Sequence, residues 1–326
     1  TTLSRTSLEE LQSLCSEHCV VADVTLSTFH PHYPKKVPGW TVFPVGEFRT
    51  VLNTPELKLA LTNGCVKAIH RATVYECSVV FKEYVNFFYE QRMEARTKGD
   101  QVLATLCKLM MNSLYGKFGQ NGRKYEKKYE VMNDDIKSWL EWDADGRTLH
   151  KYRQFAGVVE ELQREAESTE SFPAIAGHIT SAARCLLLDF IRQAGESEVF
   201  YCDTDSLFVS ERGYEHLVGR ISEYQLGWLK KEWESDSVTI YGAKDYEIGD
   251  KLKRKGVRKD AIEVSPATYR QVQFRGFKGM IQDGDLNHME ITQITKHLTR
   301  DYLKGTVDPE GRVHPLVFPH PDFPDP

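Results

Sequence analysis

Two carboxylates stand two residues apart at Tyr201-Cys202-Asp203-Thr204-Asp205-Ser206, between the short apolar runs 199–202 and 207–210. The pattern reads as strand–turn–strand. Residues two apart on a strand point to the same side, about 6–7 Å from each other, so Asp203 and Asp205 repel unless something offsets their charge. A hard divalent cation does this, and Mg²⁺ is commonly held by one or two carboxylates together with phosphate oxygens. A hairpin turn rich in Asp and Ser accounts for the same residues without a metal. A calcium-binding EF-hand starting at Asp203 does not fit, because Leu207 would fall at a ligand position and Phe208 where Gly is required.

Three further groups have spacing that suits a phosphate-bearing ligand. On a helix, Lys108, Asn112 and Tyr115 fall at i, i+4 and i+7 and share one face. A cation, an amide and an aromatic ring in that order suit a phosphate, a further oxygen and a base or sugar; a solvated face with a buried Tyr is the alternative. Arg92 and Arg96 share a face of the preceding helix, where they could cradle a triphosphate or be balanced by Glu90 and Glu94. Lys244 and Tyr246, two apart, would project together from a strand toward a nucleic-acid backbone. Residues 251–259 follow with six cations, Lys255 among them, and no acid; a solvated loop explains such a run as well.

The elements that must position these groups can be read from periodicity and punctuation. Ser7 and Glu10 form a capping box ahead of Leu8, Leu11 and Leu14 at helical spacing. Residues 19–26 alternate and are β-branched, as in a strand, and residues 31–44, with four prolines and Gly39, read as loop. Thr54 caps a short helix with Pro55 at its first position. Two helices, at 81–96 and 101–115, are separated by Lys98-Gly99-Asp100, and a turn that short folds them into an antiparallel hairpin. Gly116 marks the stop of the second. Residues 121–171 are polar, charged and irregular, like an insertion, and a helix follows at 173–193. The proline-rich stretch 314–326 reads as poorly ordered or as cut mid-domain.

Composition sets the outer bounds. With 326 residues, 40% hydrophobic and 27% charged, the chain has the make-up of a soluble globular protein of two or three domains or subdomains. No apolar run approaches the roughly 20 residues of a membrane span, so no membrane is expected. The net charge of −5 leaves any polyanion site to depend on local basic surface. The seven cysteines include no CxxC pair, and Cys15, His18 and Cys19 lack a second ligand pair for zinc, so free thiols in a reducing compartment are expected. The chain has no initiator Met and no secretory signal, which reads as a processed or excised piece.

Taken together and in this order, the motifs resemble family B DNA polymerases. Lys108 to Gly116 matches that family's KxxxNSxYG fingers motif, and Thr180-Ser181-Ala182-Ala183-Arg184 is similar to its template motif, with Ala for the usual Gly. Tyr201 to Ser206 matches the YxDTDS palm motif, and Lys244 to Tyr246 the KxY motif. Cys202 in place of the commoner Gly, the short fingers hairpin and the long insertion look closest to the protein-primed branch found in phages, viruses, linear plasmids and transposons. The resemblance covers residues 45–260.

It implies an α+β fold in which an antiparallel palm sheet carries a two-helix fingers insertion and a partial thumb. The corresponding domains are palm at 1–80, fingers at 81–120, palm at 121–261 with the polar insertion at 121–171, and thumb and tail at 262–326. It implies template-directed addition of dNTPs to a primer-template DNA, with two Mg²⁺ ions, or Mn²⁺ in their place, held by Asp205 and Asp203. Lys108, with Arg92 or Arg96, would hold the incoming triphosphate, while Asn112 and Tyr115 flank the nascent base pair. Lys244, Tyr246, Thr180, Arg184, Tyr201 and Lys255 would contact DNA, and a terminal protein would serve as primer. The family's DxxSLYPS motif, which supplies a further metal-ligand Asp, is not found in the sequence; Asp23-Val24-Thr25-Leu26-Ser27 begins similarly, but Thr28-Phe29-His30-Pro31 does not continue it, and it reads as an ordinary palm strand. The exonuclease motifs are not found either. The expectation is therefore the palm–fingers–thumb portion of a longer polymerase, either active when joined to its upstream part or a module that binds primer-template and dNTP without chemistry. A reverse transcriptase would carry adjacent carboxylates instead of Asp203-Thr204-Asp205.

Overall fold

A computed structural model describes residues 2–3, 6–133, 135–167, 171–274 and 291–320, arranged in two compact units. The first unit draws on Thr1–Gly119, Phe172–Glu234 and Asp301–Pro326, the second on Gln120–Ser171 and Ser235–Arg300.

At the centre of the first unit is the strand Cys19–Thr28, in which every second residue from Val20 to Thr28 is buried. That strict alternation follows from the two-residue period of a strand with one face on a core. Val66–Tyr75 and Val45–Asn53 flank it antiparallel, Thr2–Leu3 adds an outer strand, and Val317–Phe318 pairs parallel with Val45–Asn53. Leu316 and Phe318 join the main core with Leu11, Tyr33, Phe48, Leu52 and Leu57. The expectation of a poorly ordered tail is therefore corrected over residues 314–320, whose apolar side chains close the core; residues 321–326 lie outside the described residues. Gly46, at φ +95°, lets the backbone of Phe318 approach closely, in space that a Cβ would occupy.

Helices α1 (Leu8–Glu17) and α2 (Thr54–Thr62) pack against this sheet. Ser7 caps α1 as its spacing requires, accepting from the Glu10 N–H at 3.1 Å. Thr54 is not the cap of α2: Asn53 holds that position, and the Thr54 hydroxyl accepts from the Val20 N–H at 2.6 Å, tying the helix to the central strand. Helices α3 (Lys82–Thr97) and α4 (Gln101–Phe118) form the expected antiparallel hairpin. Asp100 caps α4 through the Leu103 N–H at 2.9 Å. The helix runs past Gly116 to Phe118, whose ring packs against Phe81 and whose carbonyl accepts from the Phe172 N–H.

Helix α5 (Pro173–Ala194) packs against α2, α4 and the Val45–Asn53 strand. It corrects one reading of the sequence, since by length and composition it is apolar enough to cross a membrane. In this fold its polar residues are used internally: Arg184 pairs with Glu56 of α2, and His178 lies 3.3 Å from the Thr54 hydroxyl. Helix α6 (Glu211–Leu217) completes the unit.

In the second unit, residues 121–167 are not irregular. Four antiparallel strands stand in the spatial order Asn121–Glu130, Val158–Glu167, Leu149–Phe155 and Lys137–Trp142. Charged pairs stitch neighbouring strands, including Lys128 to Glu161 at 2.6 Å and Arg153 to Glu160 at 2.6 Å. Arg153 also stacks 3.7 Å over the ring of Tyr125. Two three-stranded antiparallel sheets follow, one from Val238–Gly242, Asp245–Ile248 and Lys251–Lys253, the other from Ile262–Ser265, Thr268–Phe274 and Ile291–His297.

Candidate active site

The strands Val199–Asp203 and Ser206–Val209 pair antiparallel, with Asp203 opposite Ser206, so that Thr204 and Asp205 form a two-residue turn. The apolar residues on either side fix the hairpin: Val199, Leu207 and Val209 pack on Phe190, Ala194 and Leu217, which come from α5 and α6. Asp203 therefore ends a strand and Asp205 lies in the turn, as the strand–turn–strand pattern predicts, so the two carboxylates do not share one extended strand face. The cause is local. Thr204 adopts φ +54°, and the Asp205 N–H folds back to donate to the Asp203 carbonyl at 2.6 Å. A positive φ at a β-branched residue costs about 1–3 kcal/mol, and here that strain presents the Asp205 carboxylate to solvent. Asp203 Oδ1 accepts from the Thr204 hydroxyl at 3.0 Å, and the Ser206 hydroxyl donates to the Asp203 carbonyl at 3.1 Å. Tyr201 lies two strand positions before Asp203, its ring 5.0 Å from that of Phe208.

Carboxylate oxygens on a solvent-open turn are the donors a hard cation prefers, so the residues present fit Mg²⁺ and not zinc. Among the described residues no group of three or more His, Cys, Asp and Glu is arranged to hold a metal. Asp23 is otherwise engaged. Arg49 donates to both of its carboxylate oxygens, at 2.9 and 2.8 Å, which agrees with reading it as an ordinary strand residue. That hydrogen-bonded pairing holds the Asp23 carboxyl below its usual range. Because the folded value is depressed, the stabilisation is fully present above the ordinary carboxylate pKa and is lost as pH falls through the folded one. Asp23→Asn should accordingly flatten the acid limb of a stability–pH profile measured by urea titration; an unchanged acid limb would mean the pair contributes nothing.

On α4, Lys108, Asn112 and Tyr115 are exposed together, as their spacing requires, while Ala104 and Cys107 form the buried side. Leu106 and Leu109 are also exposed, because the helix turns its small residues inward. Arg92 lies on α3. Arg96 is placed 3.6 Å from Glu223, beside Lys230, so its guanidinium is already engaged with an acid.

The template-motif residues lie on α5. The Thr180 hydroxyl donates back to the carbonyls of Ala176 and Gly177 at 3.0 Å. Arg184 bonds through Nε to Glu56 at 2.6 Å, and Glu56 is 1% exposed. Nothing in the sequence singled out Glu56, which resembles any first-turn helix acid; its partner lies 128 residues away.

In the second unit, Lys244 and Tyr246 do not share a strand. Lys244 sits in a turn at φ +61°, and Tyr246 is the second residue of Asp245–Ile248. Between them Asp245 is buried and takes a 2.9 Å bond from Arg300, whose guanidinium stacks 3.9 Å over Tyr241. Asp245 thus anchors the motif, and Arg300 is a supporting residue that sequence reasoning did not find. Lys255 is exposed in the turn after Lys251–Lys253, whereas Arg254 lies over the ring of Tyr269 and Arg258 pairs with Asp260.

Comparison with known proteins agrees with these motifs. Residues 21–172 match the family of type B DNA polymerases described as organellar and viral. The DNA-directed DNA polymerase of Enterobacteria phage PRD1 is 31% identical over 207 residues, covering 62% of this chain and 35% of the phage protein. Probable DNA polymerases of Agaricus bitorquis and Ascobolus immersus are each 26% identical, over 64% and 78% of this chain and 29% and 20% of their own length. Among solved structures, Phi29 DNA polymerase complexed with primer-template DNA is similar over 86% of this chain and 42% of that one, with 15% identity and a TM-score of 0.45. Over residues 21–172 the chain is thus similar to the organellar and viral type B DNA polymerases. It spans about a third or less of the length of these curated relatives.

Proposed function

We propose that residues 1–326 carry part of the polymerising core of a type B DNA polymerase of the protein-primed branch, acting on primer-template DNA and dNTPs, with a terminal protein as primer. One observation carries this reading. The Asp203–Asp205 turn is braced by α5, and α5 also packs against α4, whose exposed face presents Lys108, Asn112 and Tyr115.

On this reading Asp205 and Asp203 hold the divalent ions, whose chemistry when bound is to lower the pKa of the primer 3′-hydroxyl and to neutralise the departing pyrophosphate. Lys108 binds the triphosphate as a point charge, with Arg92 of helix α3 as a second cation. Asn112 and Tyr115 orient the base and sugar, and Tyr115, being aromatic, can stack without reading sequence. Lys244, Tyr246 and Lys255 of the second unit, with Thr180, Arg184 and Tyr201 of the first, contact the DNA backbone. Positioning and charge neutralisation supply most of the acceleration in phosphoryl transfer, so the protein's contribution is chiefly geometric.

Two carboxylates are few for a pair of ions, and we propose that a further one comes from outside residues 1–326. The same count favours a second reading, in which these residues bind DNA and dNTP without chemistry. A primer-extension assay with Mg²⁺ or Mn²⁺ separates the cases. The expected result is primer-template binding without efficient synthesis by residues 1–326 alone, and synthesis once the upstream carboxylate motif is joined to them. Efficient synthesis by these residues alone would overturn the need for the extra ligand. No synthesis by the joined polypeptide would leave the binding-only reading.

A further inference from the structure

Two thiols far apart in sequence meet at the root of the α3–α4 hairpin. Cys19 is the first residue of the central sheet strand, immediately after the His18 cap of α1. The neighbouring strand ends at Tyr75, which stands opposite Cys19 in the antiparallel register. The chain then leaves the sheet along residues 76–81 to enter α3, and within this connector Cys77 turns back so that its Sγ lies 2.8 Å from Cys19 Sγ. Cys77 is exposed and Cys19 half-buried.

We propose that Cys19 and Cys77 are a redox modification site, a dithiol that closes to an intramolecular disulfide and staples the fingers-side connector to the central strand. Zinc is the competing use of paired thiols, but it needs four ligands, and among the described residues no third Cys, His, Asp or Glu completes such a set. The other five cysteines have no comparable thiol neighbour among the contacts of the described residues.

The oxidant is a low-molecular-weight disulfide. The Cys77 thiolate attacks one sulfur of the reagent, forming a mixed disulfide and expelling one thiolate. Cys19 then loses its proton and attacks Cys77 Sγ, expelling the second. One S–S bond is exchanged for another; two electrons pass to the reagent, and the two protons released by the cysteines end on the two expelled thiolates. Burial and the neighbouring Cys77 thiol push Cys19 up to about 11. The exposed Cys77 therefore meets the reagent first, and Cys19 resolves.

The test uses the full chain, folded and reduced, exposed to oxidised glutathione at neutral pH, quenched with acid, alkylated and mapped by peptide mass spectrometry. The expected major product is a Cys19–Cys77 cross-linked peptide, about 2 Da lighter than the two thiol peptides together. Thermal midpoint should rise by roughly 5 °C on closure and return on reduction with dithiothreitol. Cys77→Ser should remove both changes while leaving the midpoint of the reduced protein within about 1–2 °C of wild type, because residue 77 is exposed. Cys19→Ser should leave Cys77 trapped as a glutathione adduct. Wild-type protein that stops at a Cys77 adduct, remains fully reduced, or closes a different pair would overturn the proposal.

Discussion

Asp205→Ala, made in a polypeptide competent for synthesis, is expected to lower primer extension by about 10²–10³-fold or more, the scale of losing one preorganised charge-stabilising group. Primer-template affinity should change little, because Asp205 lies in a turn and its own charge would repel DNA. The fold should also be spared. Asp205 is exposed and caps no helix, so stability should stay within about 0.5 kcal/mol of wild type. Asp203→Ala carries a second cost, since its carboxylate receives the Thr204 hydroxyl and helps hold the strained turn. The Asp205 variant is thus the cleaner probe: lost synthesis with retained binding and an unshifted denaturation midpoint supports a role in chemistry. Synthesis at wild-type rate would remove the metal assignment.

Arg184→Met is expected to have the largest effect on stability, about 3–5 kcal/mol, although the residue was singled out for contact with DNA. Its removal leaves the Glu56 carboxylate buried at 1% exposure without its counter-charge, and stranding a buried charge is the costly half of breaking such a pair. The second carboxylate oxygen, Oε2, already makes no hydrogen bond within the described protein. Glu56→Gln should cost less, about 1–3 kcal/mol, because Arg184 is one-third exposed and can turn to water. The double variant should recover part of the loss, giving a coupling of about 0.5–3 kcal/mol in a urea-denaturation cycle. Additive single effects would show the pair to be uncoupled. A weaker DNA affinity of Arg184→Met can then be assigned to contact or to misfolding by comparing it with the double variant.

Much of this was legible wherever a local period carried the signal. The alternation at 19–26 located the central strand, which runs on to Thr28, and the helix expected at 173–193 extends over Pro173–Ala194. Lys108, Asn112 and Tyr115 fall on one exposed face because helical spacing alone decides that. What failed depended on distant partners. The strands of 121–167 were masked by charge, since Arg153 and Lys128 find Tyr125, Glu160 and Glu161 only after the sheet has formed. The tail looked like proline-rich coil, yet Leu316 and Phe318 fill a core assembled some 270 residues earlier in the chain. The turn at 203–206 was legible, but nothing local announces that Thr204 will take a left-handed conformation. Glu56, Arg49 and Arg300 carry no motif at all; each is identified by the buried or half-buried charge it meets.

On the proposed reading the Asp203–Asp205 turn holds the divalent ions for nucleotidyl transfer, and paramagnetic Mn²⁺ would report their position. Mn²⁺ should be titrated into the isotopically labelled protein bound to primer-template and a dNTP, and amide line broadening mapped along the chain. Broadening should centre on residues 203–206, reach the Lys108 face of α4 less strongly, and disappear from the turn in Asp205→Ala. Broadening that bypasses residues 203–206, or that persists there unchanged in the variant, would contradict it.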